Sequence, residues 1–414
     1  MVDGWTDCKL GELFEFKNGL NAEKAAYGDG TPFVNVMDVF GNDTLTADLI
    51  RGKMKTSAKQ ESEYSVKHGD VLFNRTSETF DEIAMSAVYL DCVPAVFGGF
   101  VIRARPTKKN LDPHFCAYFF QSDSFRKELI RRGQGAVRAN IGQKDLATVP
   151  ALVPPVPEQR RIGEILSTWD RAIATTEKLI ANSEAQKKAL MQQLLSGEMR
   201  FPEISAEPWN ELNLKDVASI IVSNVDKKTV DDEQPVRLCN YMDVYANDVV
   251  HPDLPYMSAT ATAAQVRKFG LRVGDVLITK DSETPDDIAV PTYVERTADD
   301  LVCGYHLAIV RPKKGVSGRF LRYFFENPQT QYYFASRANG ATRFGLTIGV
   351  IEDAPIQLPP LPGQEKIASA IAGSEREACV LTSSLNVLLA EKKALMQQLL
   401  TGKRRVKLQE KIHA

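Results

Sequence analysis

Lys187-Lys188-Ala189-Leu190-Met191-Gln192-Gln193-Leu194-Leu195 recurs without change at residues 392–400, 205 positions further along the chain. The same offset carries Asn35-Val36-Met37-Asp38-Val39-Phe40 onto Asn240-Tyr241-Met242-Asp243-Val244-Tyr245. It carries Asp70-Val71-Leu72 and Ser77-Glu78-Thr79 onto Asp275-Val276-Leu277 and Ser282-Glu283-Thr284. It also carries Pro154-Pro155-Val156-Pro157-Glu158-Gln159 onto Pro359-Pro360-Leu361-Pro362-Gly363-Gln364. Solenoid units run to roughly 20–50 residues, so each copy here is a whole domain plus a connector. Two similar modules on one chain imply a ligand with two similar but non-identical halves.

The nine-residue repeat closes a long heptad pattern. In 158–195 the steps of four and three fall on Ile162, Leu166, Trp169, Ile173, Thr176, Ile180, Ser183, Lys187, Leu190 and Leu194. In the second copy they fall on Ile367, Ile371, Ser374, Ala378, Leu381, Leu385, Leu388, Lys392, Leu395 and Leu399. This predicts a coiled-coil seam in both copies. Bulk in one copy often meets a small residue in the other, as Trp169 against Ser374 and Ser183 against Leu388. Gly197 and Gly402 end the helices, and the proline-rich 150–157 predicts a stiff, extended lead. Roughly 35 residues at 1.5 Å each make a rod about 50 Å long. If the two helices pair antiparallel, the modules lie at opposite ends, related by a pseudo-two-fold axis. A linker helix that pairs with nothing is the alternative, and the regularity of both seams speaks against it.

The remaining sequence predicts an α+β fold of two similar mixed modules joined by two long helices. The boundaries are 1–152 and 201–357 for the modules, and 153–200 and 358–414 for the helical regions. Val71-Leu72-Phe73 and Phe100-Val101-Ile102 read as strands. Residues 114–132 read as one helix, aromatic on one side and basic on the other, broken by Gly133-Gln134-Gly135. Residues 320–336 read as its counterpart, broken at Asn339-Gly340.

Apolar content of 43% and charged content of 25% are ordinary for a globular chain, and each module is large enough for its own core. No run approaches the ~20 apolar residues that span a bilayer, and the start lacks a signal-peptide pattern. The cytoplasm is therefore the expected location. The six cysteines are scattered and read as plain thiols. A net charge of −2 argues against a non-specific DNA coater. It leaves room for a DNA reader with basic residues gathered locally, as in Arg103, Arg105, Lys108 and Lys109, or Arg126, Lys127, Arg131, Arg132 and Arg138.

The sequence has no P-loop, no H-E-x-x-H and no Asn/Asp-Pro-Pro-aromatic tetrapeptide, and its histidines (His68, His114, His251, His306, His413) are dispersed. One run could support metal-assisted phosphodiester cleavage: Asp275, Lys280, Asp281, Glu283, Asp286 and Asp287. Its first-copy counterpart replaces Lys280 by Arg75, which breaks a lysine-dependent site, so a polar or DNA-contacting loop is the competing reading.

The Pro-Pro-Val-Pro-Glu-Gln junction, the Lys-Lys-Ala-Leu-Met-Gln-Gln-Leu-Leu helix end and their recurrence resemble the specificity subunits (HsdS) of type I restriction–modification systems. Gly69-Asp70-Val71-Leu72 and Gly274-Asp275-Val276-Leu277 add to the likeness, which covers essentially the whole chain. Gly363, where the family has glutamate, is a departure expected to weaken the second helix start. The resemblance implies a non-catalytic subunit with two target recognition domains, each reading half of a split DNA site. It implies that the helices set the spacing and dock two methyltransferase (HsdM) subunits, with two restriction/translocase (HsdR) subunits joining. S-adenosylmethionine, ATP and Mg would belong to those partners, and this chain would hold no cofactor or metal.

The rod would exceed the span of about 34–36 Å between major grooves one helical turn apart, so each module would reach back toward the centre. Two differing modules imply a non-palindromic target, and a methylated adenine must leave the stack. Readout needs Arg, Lys, Asn or Gln at base edges, with phosphate contacts fixing the register. The candidates are the loop after the Gly-Asp-Val strand (Arg75, Thr76, Ser77; Lys280, Asp281, Ser282) and the turn after the basic helix (Gln134, Arg138, Asn140; Asn339, Arg343, Phe344). Arg138 and Arg343 are kept in both copies and read as phosphate contacts, since a shared residue cannot explain different half-sites. Phe344 reads as a packing residue. A Mg-dependent nuclease and a coiled-coil adaptor that does not touch DNA are the alternatives.

Overall fold

The apolar run at 71–74 is a strand, Val71–Asn74, buried along its whole length. The computed structural model describes residues 2–21, 27–135, 138–202 and 208–408; His413 lies outside them. Val71 and Phe73 join one core with Ile102, Phe115 and Phe120. Leu72 joins a second with Val34, Leu45 and Tyr89. Successive side chains of a strand leave opposite faces, so a sheet between two cores reads as an unbroken apolar run. In the second copy Val276 and Ile278 face one core and Leu277 another.

The sheet holding this strand has the order Phe14–Asn18, Val101–Pro106, Val71–Asn74, Ser86–Tyr89, Thr44–Leu45. Its counterpart runs Ala218–Val222, Leu307–Pro312, Val276–Thr279, Pro291–Val294, Val249–Val250. Both are antiparallel apart from the last pair. The repeated motifs explain themselves in this frame. Gly69 and Gly274 have φ of +86° and +96°, the left-handed region that favours glycine. Asp70 and Asp275 are buried and take paired hydrogen bonds from Arg105 and Arg311 at 2.6–2.8 Å. Asp38 and Asp243 accept the backbone N–H of Asn35 and Asn240, both at 2.7 Å, closing short helix starts.

The helix expected over 114–132 is two, Pro113–Gln121 and Asp123–Ile130, and that over 320–336 is Gly318–Glu326 and Pro328–Ala335. Ser122 and Asn327 are extended between them. Asn327 caps the second helix by accepting from Gln329 N–H, and Pro328 takes the first helical turn, where a missing N–H costs nothing. The aromatic side is core, with Phe73 and Phe120 edge-to-face at 5.2 Å. The proline-rich lead is partly a strand, Pro150–Val153, paired with Thr6–Lys9.

The long helices run Val156–Leu195 and Leu361–Leu399, and all twenty seam residues named above are buried or half-buried. Glutamine anchors each start. Gln159 accepts from Asp112 N–H and donates to Asn110 and Pro154 carbonyls at 2.8–2.9 Å. Gln364 accepts from Ser317 N–H and donates to Gly315 and Pro359 carbonyls. Gly363 does not prevent the second helix from forming. What it removes is an ion pair: in the first copy buried Glu158 receives Arg405 at 2.7 and 2.8 Å and Trp5 Nε1 at 3.0 Å.

The chain divides into two compact units, residues 1–178 with 383–414, and residues 179–382. Each takes the start of one long helix and the end of the other. In the first, Ile162 and Leu166 share a core with Leu399 and Leu400. In the second, Ile367 and Ile371 share one with Leu194 and Leu195. Start meets end, so the helices run antiparallel within each unit. No helix of the described residues is long and apolar enough to cross a membrane.

Candidate nucleic-acid interface

The two candidate stretches of the first unit, 57 or more residues apart, meet in a small ladder. Thr76–Ser77 pairs antiparallel with Ala139–Asn140, and Gln134 and Asn140 exchange backbone hydrogen bonds at 2.8 and 2.7 Å. Arg75 carbonyl accepts from Ile141 N–H at 3.0 Å. In the second unit Asp281–Ser282 pairs with Phe344–Gly345, Asn339 exchanges bonds with Gly345, and Lys280 carbonyl accepts from Leu346 N–H. Gly135 and Gly340 make the turn possible: an added Cβ would lie 2.1 and 1.7 Å from the carbonyl oxygens of Arg138 and Arg343.

The side chains sort themselves by exposure. Arg75, Gln134, Arg138, Asn140, Asn339 and Arg343 are exposed, with Arg138 at 4.0 Å from Glu78. Thr76 is half-buried and its hydroxyl meets Asn140 Oδ1 at 2.9 Å. Ser77 and Ser282 depart from expectation. Both are buried; Ser77 donates to Glu82 at 3.1 Å and accepts from Thr79 N–H, and Ser282 accepts from Thr284 N–H. Their hydroxyls shape the loop and do not face outward. Lys280 is half-buried and ion-paired with Asp281. Phe344 packs against the core, as expected of a packing residue.

The basic clusters are largely structural. Arg103 is buried and donates to Ser65 carbonyl, and Arg105 is held by Asp70. Arg126 donates to the carbonyls of Asp81, Ile83 and Ala84, all at 2.8 Å. Arg131 and Arg132 pair with Glu128. The acidic run at 275–287 is dispersed in the same way: Asp275 is committed to Arg311, Asp281 to Lys280 and His306, and Asp287 to Thr284 and Tyr245. Among the described residues no three His, Cys, Asp or Glu side chains gather as a metal site would need.

Sequence reasoning missed part of this surface. In the second unit a cleft of about 460 Å³ is lined by Tyr241, Met242, Tyr245, Asp281, His306 and Arg343. Tyr241 and Tyr245 stack at 5.7 Å, and His306 Nδ1 lies 2.7 Å from Asp281 Oδ2. The signal was masked by one inserted residue. Val101–Pro106 matches Leu307–Pro312, an offset of 206 in this strand, so the counterpart of His306 is Phe100.

Comparison with known proteins bears on the two-module organisation. The model of the type I restriction modification DNA specificity domain matches residues 2–184 and again 206–377. A putative type I restriction enzyme MjaX specificity subunit from Methanocaldococcus jannaschii is 23% identical over 98% of this chain and 95% of its own. The EcoKI specificity subunit from Escherichia coli K12 is 27% identical over 49% of this chain and 43% of its own. The HsdS subunit of Thermoanaerobacter tengcongensis has a similar fold, with a TM-score of 0.56 at 18% identity over 98% of each chain. A type I S subunit from M. genitalium gives a TM-score of 0.54 at 13% identity, over 95% of this chain and 96% of its own. With the family model spanning both halves, the chain belongs to the type I restriction–modification DNA specificity family.

Proposed function

We propose that this chain is the DNA-reading subunit of a type I restriction–modification complex and carries no catalytic step itself. Each unit reads one half of a split, asymmetric DNA site through its two-stranded ladder. Arg75 and Arg138 in the first unit and Arg343 in the second neutralise phosphates; Gln134, Asn140 and Asn339 reach base edges. The observation that carries this reading is the duplicated ladder: the same backbone frame displays different side chains in each unit, as a site with two unlike halves requires. The long helices dock methyltransferase subunits that modify adenine at N6 with S-adenosylmethionine, and ATP- and Mg-dependent restriction subunits join them.

Co-expression with the cognate methyltransferase subunit, followed by genome-wide mapping of N6-methyladenine, tests the reading. The expected result is one split, asymmetric motif methylated on both strands. A stable complex with no motif would instead favour an adaptor that does not touch DNA.

A further inference from the structure

We propose that Phe100 and His306 are the position at which the two units read different base pairs, an inference that rests on the DNA-reading function above. Their equivalence is fixed by the backbone. Phe100 carbonyl accepts from Arg75 N–H at 2.8 Å, and His306 carbonyl accepts from Lys280 N–H at 2.9 Å. Each therefore sits beside the first residue of its ladder.

The residues around them change as a set. In the first unit Thr76 is bonded across the ladder to Asn140, and Phe100 stands 65% exposed. In the second unit Asp281 replaces Thr76 and Gly345 replaces Asn140. With no side chain opposite, Asp281 turns to His306 at 2.7 Å. A Cβ on Gly345 would come within 2.9 Å of Asp281 Oδ1, so the glycine makes room for this pair. His306 holds a φ of +73°, a left-handed conformation that few side chains adopt and that recurs at functional sites.

The chemistry of the two residues is opposite. Phe100 offers only apolar surface, which suits a thymine methyl in the major groove. His306 offers a polar edge. Its Nδ1 faces a carboxylate and carries a proton, and in the neutral ring Nε2 accepts, matching the amino group of adenine or cytosine.

Two single variants test this in the complex with the methyltransferase, read by N6-methyladenine mapping. Phe100→Ala removes an exposed ring and spares the core. His306→Gly suits the positive φ. Phe100→Ala is expected to relax one base position in one half-site, and His306→Gly one position in the other. Preference for the motif over single-mismatch sites should fall roughly 5- to 150-fold. An unchanged motif in the Phe100→Ala complex, or relaxation of both half-sites by either variant, overturns the proposal. Phe100→Ala decides alone if His306→Gly does not assemble. Absence of any split motif with the unaltered chain would count against the DNA-reading function instead.

Discussion

Glu158 and Gly363 stand at equivalent places in two helix starts that are otherwise built alike. Glu158 is buried and satisfied by Arg405 and Trp5. In the second unit Arg200 and Trp209 remain together at 5.3 Å, as Arg405 and Trp5 do at 6.0 Å, but the carboxylate between them is gone. Removing Glu158's charge by Glu158→Gln leaves Arg405 without its charged acceptor and weakens this helix start. Gly363→Glu restores a carboxylate beside Arg200, raises helix propensity by up to about 1 kcal/mol over glycine and places negative charge at a helix start. The first variant is expected to lower, and the second to raise, the urea midpoint of its own unit, followed by hydrogen exchange in 156–170 and 361–375. A Gly363→Glu chain less stable than the parent would show that the glycine is required by packing.

At the scale of elements, the lysines in the seams are the informative residues. Lys187, from the end of the first long helix, meets Glu375 of the second at 2.8 Å and Glu326 at 2.5 Å. Arg322 and Tyr323 also bond Glu375, at 3.0 and 2.8 Å. In the other unit the same offset gives Lys392 on Asp170, with Tyr118 donating to Asp170 at 2.6 Å. A polar seam position paired this way fixes register, at some cost in stability. Burial works against the charged form of Glu375, but Arg322 and Lys187 outweigh it and hold the carboxyl below its ordinary value. A depressed carboxyl contributes stability that is complete above its unfolded value, about 4.5, and is lost as pH falls through the lowered one. The 179–382 unit is therefore expected to weaken steadily below pH 4.5, and Glu375→Gln to flatten that part of its pH–stability curve while lowering stability at pH 7. An unaltered acid limb in the variant would assign the acid sensitivity elsewhere. The helices and their seams were legible in the sequence because 3.5-residue periodicity is a local signal that long repetition reinforces. The break at Ser122 was not: its hydroxyl turns back to Phe119 carbonyl at 2.8 Å inside an otherwise continuous helical pattern. The ladder was legible as two separate stretches but not as a pairing, since that depends on long-range closure. The buried serines Ser77 and Ser282 look, in sequence, like any exposed polar loop residue.

On the scale of the whole molecule, the two units differ in how the chain closes them. Residues 179–382 are continuous, whereas 1–178 is completed by 383–414. The returning segment brings Leu395, Met396, Leu399 and Leu400 to the core that holds Ile162 and Leu166. It also brings Arg405 to Glu158 and Lys392 to Asp170. Ending the chain after Thr382 would remove buried Leu399 and Leu400, each contributing about 1.5–3 kcal/mol, together with half-buried Leu395 and Met396. It would also take Arg405 away from Glu158. Together these losses are comparable with the lower end of the roughly 5–15 kcal/mol that stabilises a typical domain, while the segment forming the second unit stays whole. In a chain ending at Thr382, hydrogen-exchange protection of 113–130 is expected to collapse toward the unfolded rate, while 318–335 keeps the protection of the full-length protein. Equal loss in both segments would mean that the two cores do not fold independently. Full protection of 113–130 would mean that the first unit has a sufficient core without the returning helix.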